Sequence, residues 1–341
     1  MYSILEVCGQ QPPELFDFDP TRVRIPRGCV AAEAEVFKGD IVNRTDVETK
    51  TSIIGSIKQE GAYRFFRPLI PFDLETSYTL SCDELLIPFK ILIPEQHQTM
   101  EVVDIFPATA QVPSNILKWY VRFSRPVNPI KIYDHIQFRD EQGDPIERSI
   151  LNLAAPLLSD DGTLLTIWVE PGRQKQLLGP NQRLGGVFEP DRNYTLHIDA
   201  LLKDDRGVPI GMEVNHEFST IAADRAKPSM EDWEVSDIPA QTRLPLEIRT
   251  KEPLDYGSLV DAFSITQQGS VVTGTLKYNS LSSTISFTPD ERWSAGMYTI
   301  ELAYRLEDLA GNNLRHLFDR PIDGGDVATE HQDFTLIIQS R

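Results

Sequence analysis

Apolar and polar residues alternate along most of this chain with a period of two. Leu117, Trp119, Val121 and Phe123 alternate with Lys118, Tyr120, Arg122 and Ser124. Leu246 and Ile248 alternate with Glu247 and Arg249. Tyr298, Ile300, Leu302 and Tyr304 alternate with Thr299, Glu301 and Ala303, and the first set is expected to face a core. A period of two places one set of side chains on each face of a strand. Gln142-Gly143-Asp144, Asp161-Gly162, Gln267-Gln268-Gly269 and Ala310-Gly311-Asn312 supply turn chemistry between such segments. Helical turns are expected only over Asn128–Ile136 and over Tyr256–Phe263, with Leu259, Val260 and Phe263 on one face. The pattern predicts an all-β protein.

The pattern repeats. Tyr-Thr followed by Leu or Ile occurs as Tyr78-Thr79-Leu80, Tyr194-Thr195-Leu196 and Tyr298-Thr299-Ile300. The intervals of 116 and 104 residues are each about the size of one immunoglobulin-like domain. A strand ending at a proline precedes each marker: Pro68, Pro171 and Pro289. The later copies share an acidic turn, Lys203-Asp204-Asp205-Arg206-Gly207 and Glu307-Asp308-Leu309-Ala310-Gly311-Asn312. The repeats predict tandem Ig-like β-sandwich domains at 1–98, 99–224 and 225–341. The expected linkers are Pro94–Thr99 and Ala222–Ser229.

Composition narrows the function. The 341 residues carry a net charge of −18, divided as −5, −6 and −7 over the three predicted domains, so the acidity is not a tail. Such a chain repels phosphate backbones and anionic lipid, which argues against nucleic-acid and peripheral membrane partners. No apolar run is long enough for membrane insertion. The segment from Met1 to Cys8 does not read as a signal peptide, since Glu6 interrupts it. This leaves either a leader already removed or a cytoplasmic protein. Cys8, Cys29 and Cys82 include no CxxC pair; in an exported protein Cys29 and Cys82 are expected to bridge, leaving Cys8 free.

Two stretches carry a resemblance. Asn115-Ile116-Leu117-Lys118-Trp119-Tyr120-Val121-Arg122-Phe123-Ser124-Arg125-Pro126 resembles the opening of bacterial SbsA-type Ig-like domains, and Asp308-Leu309-Ala310-Gly311-Asn312 resembles their most recognisable hairpin. Pro171–Lys175 and Ile238–Arg243 are similar to segments of uncharacterised exported proteins built from such domains. The resemblance covers roughly residues 100–341. It implies fold and an extracellular, periplasmic or cell-surface setting, without a reaction.

Nothing in the sequence selects a catalytic, cofactor-binding or metal residue. No phosphate-binding, nucleophile-elbow or HExxH motif occurs, and His216-Glu217 lacks a second histidine. His197 reads as a surface or satisfied core residue. Tyr78, Tyr194 and Tyr298 read as core tyrosines with hydroxyls bonded to backbone, in preference to sugar-stacking rings. Trp119, Trp168, Trp233 and Trp293 could form a carbohydrate platform, but Trp168 and Trp293 read better as plugs of a core end. Asp204, Asp205, Asp308 and Asn312 offer oxygens that suit Ca²⁺, yet the favoured role is a structural turn with Gly311 at positive φ, closing the last two strands. The expected function is a non-catalytic binding or spacer module for an envelope protein or polysaccharide. The alternative is a carboxylate-dependent hydrolase with an inter-domain cleft lined by the long loop Arg173–Asn193.

Overall fold

The computed structural model describes residues 19–29, 34–83, 85–93, 97–175, 179–231, 233–318 and 331–338. They fall into two compact units. One holds the residues up to Met100 together with Lys203–Ile210, and the other holds Glu101–Leu202 and the residues from Gly211 onward.

The first unit contains β1 (Val23–Ile25), β2 (Glu35–Lys38), β3 (Gly55–Glu60), β4 (Tyr63–Pro68), β5 (Ser77–Cys82) and β6 (Leu85–Lys90). They form two antiparallel sheets ordered β1-β4-β3 and β2-β5-β6. Val23, Ile25 and Phe66 from one sheet share a core with Val36, Leu80, Cys82 and Phe89 from the other. Cys29 and Cys82 are joined in a disulfide inside this core, with Cα atoms 5.6 Å apart. Cys8 lies outside the described residues.

The second unit contains two sandwiches. The first is built from β7 (Val102–Phe106), β8 (Gln111–Pro113), β9 (Lys118–Phe123), β10 (Ile136–Arg139), β11 (Leu157–Leu158), β12 (Leu164–Trp168), β13 (Asn193–Ile198) and β14 (Val214–Ile221). Its sheets run β11-β12-β9-β7 and β10-β13-β14-β8, with β8 parallel to β14. Trp119 of one sheet meets Phe218 of the other with ring centroids 4.6 Å apart. The second is built from β15 (Glu234–Val235), β16 (Leu246–Arg249), β17 (Phe263–Gln267), β18 (Ser270–Val271), β19 (Gly274–Asn279), β20 (Thr284–Pro289), β21 (Gly296–Ala303) and β22 (His331–Ile338). Its sheets run β15-β16-β20-β19 and β18-β17-β21-β22, and Ile248 and Ile285 of one pack with Ile265 and Ile300 of the other.

In immunoglobulin-like sandwiches the first, second, fifth and fourth strands form one sheet, facing the third, sixth and seventh. The last sandwich has that order, with one extra strand beside the third. The protein is thus all-β, built of tandem Ig-like β-sandwiches. The three repeated tyrosines lie near the start of the strand that pairs with the last strand of each sandwich. The hydroxyls of Tyr78, Tyr194 and Tyr298 accept the backbone N–H of Asp73, Glu189 and Ser294 at 2.8, 2.8 and 3.0 Å. This is the tyrosine corner of such folds, and it explains why the Tyr-Thr marker recurs at domain-sized intervals.

Local expectations hold where one face is solvated. Leu246 and Ile248 are buried, while Glu247 and Arg249 are exposed. Gly143, Gly162, Gly269 and Gly311 all have positive φ. In the helix Tyr256–Ala262, Leu259 is buried but Val260 is 51% exposed, and Ala262 turns inward in its place. Residues three apart share a helix face whereas adjacent ones diverge by about 100°. Trp119, Trp233 and Trp293 are buried, so they build no platform, and Trp293 anchors its core by donating Nε1–H to the Leu244 carbonyl at 2.8 Å. His197 is buried, with Nδ1 2.7 Å from Asn215 Oδ1, as a satisfied core residue.

Candidate functional site at the junction of two sandwiches

The face of β9 expected to be solvated is instead covered. Tyr120 is 4% exposed, because the helix Tyr256–Ala262 and the turn around Asp308 of the last sandwich lie against it. Tyr120 donates its hydroxyl hydrogen to Asp255, with Oδ1 at 2.9 Å and Oδ2 at 3.0 Å. Asp255 caps the same helix by accepting the Ser258 N–H at 2.8 Å. Lys118 Nζ reaches Asp255 Oδ2 at 3.3 Å and Glu307 Oε2 at 2.6 Å. Arg122 donates to the Tyr256 hydroxyl at 2.5 Å. The Tyr256 ring in turn stacks on Phe106 with centroids 4.3 Å apart and an angle of 9°. Tyr120 sits so close to Gly257 that a Cβ there would lie 2.5 Å from its hydroxyl oxygen.

Electrostatics follow from this packing. Burial and the Asp255 carboxylate push the Tyr120 phenol upward, so it stays a donor. Burial alone would lower the Lys118 ammonium, but Asp255 and Glu307 outweigh it and hold its pKa above the usual value. Burial raises Glu307, against the pull of Lys118. The network is a satisfied buried ion pair, of the kind that fixes geometry more than it adds stability.

Beside this network lies the Asp308–Asn312 turn. Asp308 Oδ1 accepts the N–H groups of Ala310 at 2.8 Å and Asn312 at 2.9 Å, while Oδ2 accepts Asn312 Nδ2 at 2.9 Å. Asp204 Oδ1 likewise accepts the N–H groups of Arg206 at 3.0 Å and Val208 at 2.8 Å. The second acidic turn is thus the same device in another copy. The expectation that the Asp308 turn directly closes the last two strands is corrected: β21 ends at Ala303 and β22 starts at His331. The turn instead docks on the preceding sandwich. The Leu309 carbonyl accepts the Leu117 N–H at 2.9 Å, and a Cβ on Gly311 would lie 2.2 Å from a Leu117 methyl. Gly311 is therefore required twice, for its φ of +78° and for this close approach.

Asp224 enters from the connecting segment. Asn115 grips its backbone at both ends, donating Nδ2–H to its carbonyl at 2.7 Å and accepting its N–H at 2.8 Å. Carboxylate oxygens of Asp224, Glu252 and Asp308 lie within 4.8 Å of one another. Burial, helped by Asp224 and Glu252, raises Asp308 to about 7 against the opposing pull of Asn312. Burial and Asp224 also raise Glu252. Three carboxylates at this spacing could hold a hard cation such as Ca²⁺, although that ion takes six or more oxygens. Sequence spacing could not reveal the trio, because its members come from three separate segments.

Described residues of the long loop Arg173–Asn193 line an open depression of about 400 Å³, formed by Arg173, Leu184, Gly186, Glu189 and Asn193 with Asp140 and Glu141. Arg173 is buried and fastens the loop, donating to the carbonyls of Glu147, Leu184, Gly185 and Gly186 at 2.5, 3.2, 3.1 and 2.6 Å. An open depression of about 900 Å³ lies on the same sandwich, lined by Asp140, Glu141, Asn193, Glu217 and Ser219. The junction carboxylates are packed against protein and lie outside it: Asp255 is 3% exposed and Asp308 2%.

No family model matches the sequence, and no curated protein is similar to it in sequence. Among solved structures, the chain is similar to native α-2-macroglobulin from Escherichia coli over domains MG0-NIE-MG1, with 12% identity, 70% of this chain and 72% of that one, at a TM-score of 0.24. The S-layer protein rSbsC(31-844) shares 8% identity over 72% of this chain and 41% of its own, at 0.26. The Ig1-2 module of the Drosophila receptor protein tyrosine phosphatase DLAR shares 12% identity over 71% of this chain and 100% of its own, at 0.21. These scores are too low to carry an argument, and the Ig-like assignment rests on the strand order and the tyrosine corners.

Proposed function

We propose that the chain is a non-catalytic string of three Ig-like modules, divided near residues 98 and 225, that acts as a spacer or binding module at the cell envelope or outside the cell. The observation that carries this reading is the junction itself. Tyr120, Lys118, Asp255 and Glu307 bond to one another across the junction and join the two sandwiches. A joint made in this way holds neighbouring modules in one orientation, as a spacer or a presenting scaffold requires. The Cys29–Cys82 disulfide supports an oxidising compartment. The opening of β9 and the Asp308 turn, the two stretches that resemble SbsA-type domains, meet at this joint beside the Asp255 cap. Calorimetry of the full chain tests the reading: the second and third modules should melt in one transition, which Lys118→Ala with Asp255→Ala splits in two. Two separate transitions in the unaltered chain would refute it.

A further inference from the structure

The two sheets of the last sandwich differ in what they turn outward. Registers Thr266↔Val271, Thr266↔Thr299 and Thr299↔Thr335 set one uncharged residue from each of β18, β17, β21 and β22 side by side. The pair Met297↔Ile337 forms the next row on the same side, because residues two apart along a strand share a face. The opposite side of these strands carries Ile265, Tyr298, Ile300 and Ile338 into the core. Val271, Met297 and Ile337 are nevertheless 68, 63 and 66% exposed. Further along the face, Glu301 accepts the hydroxyls of Ser264 and Thr266 at 3.4 and 3.0 Å. The other sheet turns out charge: Glu234, Glu247, Arg249 and Lys277 are all exposed on its outer side.

We infer that this face of the β18-β17-β21-β22 sheet joins two copies of the chain, sheet against sheet. Exposed apolar residues gathered on one face mark a contact surface. Charge selects the occupant. Two copies of net charge −18 repel one another over most of their surfaces. The six residues of the two rows carry no charge, so here two copies can touch without setting like charges opposite each other. A two-fold axis over the rows places the methyl groups of Val, Met, Ile and Thr against their counterparts, in the aligned packing that sheet faces adopt. Four strands about 4.8 Å apart, and the eight residues of β21 at about 3.3 Å each, outline roughly 400–500 Å² per copy. Both copies together then bury on the order of 1,000 Å², the lower bound for a specific interface, so the dimer is weak and reversible. The inference stands on this sandwich alone and does not depend on the envelope reading.

Sedimentation velocity of the full chain, from micromolar to submillimolar concentration, is the test. A monomer–dimer equilibrium should appear. It should strengthen as salt rises, because screening relieves the repulsion between acidic copies while the apolar contact persists. Val271→Glu with Ile337→Glu should weaken association by about tenfold or more, since each copy then sets like charges inside the contact, and should leave the melting temperature unchanged. Met297→Glu, on the same face, should act in the same direction. Met212→Glu with Leu281→Glu alters residues that are 78 and 71% exposed elsewhere, and should leave association as it was. A monomer at every concentration, a dimer that the face variants leave intact, a dimer that weakens as salt rises, or an equal loss in the Met212 and Leu281 control would overturn the inference. Each of those outcomes leaves the joint between the second and third modules standing, so the two claims fail separately.

Discussion

The hydroxyl of Tyr120, on the second module, stands 2.9 Å from Oδ1 of Asp255, on the third, and Asp255 at the same time caps the helix that covers Tyr120. One carboxylate therefore both ends a helix and locks a joint. Tyr120→Phe keeps the ring but removes the donor, leaving Asp255 to Lys118 and the Ser258 amide. A loss of about 1–3 kcal/mol is expected, as for a hydrogen bond to a buried charge. Urea denaturation of the two proteins measures it. A change below about 0.5 kcal/mol, the level of an ordinary surface substitution, would mean the bond does not contribute.

The acidity of Asp308 gives the joint a pH dependence. Its folded pKa of about 7 lies above the ordinary aspartate value of 3.8. Between these values the folded state holds a proton that the unfolded state releases, so stability falls as pH rises from about 4 to 7. Glu252 and Glu307 are shifted in the same direction. Lys118 is raised from 10.5, so its contribution stays constant in this window and is lost only at higher pH. The upper limit from Asp308 is on the order of 4 kcal/mol. Urea midpoints at pH 5 and pH 8 should differ with the lower pH more stable, and Asp308→Asn should flatten the difference. A midpoint that rises with pH in that window, with Asp308 intact, would contradict the assignment.

A structural turn and a Ca²⁺ site make different predictions for the same residues. Asp308 already accepts two backbone N–H groups and an amide N–H. Asp308→Ala should therefore lower stability by about 1–2 kcal/mol whether Ca²⁺ or chelator is present. Gly311→Ala should cost more, since it adds the Leu117 clash to a positive φ. Thermal melts in the two conditions decide: a rise with Ca²⁺ that Asp308→Ala abolishes would identify a cation site.

Much of the fold was legible in the residues. The Tyr-Thr marker repeats because each tyrosine corner needs a phenol near the start of the next-to-last strand, and Leu246 and Ile248 alternate cleanly because their other face is solvated. The joint was legible only in part. Lys118, Tyr120 and Arg122 have the polarity of a solvated face, and a period of two reports which side chains share a face without reporting what covers it. The Asp308 turn could be read as a turn from its glycine and asparagine. Its docking on Leu117 depends on a contact across nearly two hundred residues, and no local pattern encodes that.

The cysteines give an independent check on the compartment. Thiol titration of the denatured, unreduced chain should find one free thiol, contributed by Cys8, with Cys29 and Cys82 joined. Reduction should cost about 2–4 kcal/mol for a loop of this length. Three free thiols in protein secreted from an oxidising compartment would remove the support that the disulfide lends to an envelope setting.

The central claim is that the second and third modules are held as one body, and a distance distribution reads it most directly. Spin labels at Asp160→Cys and Ser270→Cys, both exposed, with Cys8→Ser to leave no other free thiol, place one label on each module of the full chain. Pulsed electron paramagnetic resonance should give a single narrow distance, which broadens when Lys118→Ala and Asp255→Ala are added. A broad distribution in the chain with its joint intact would contradict the account.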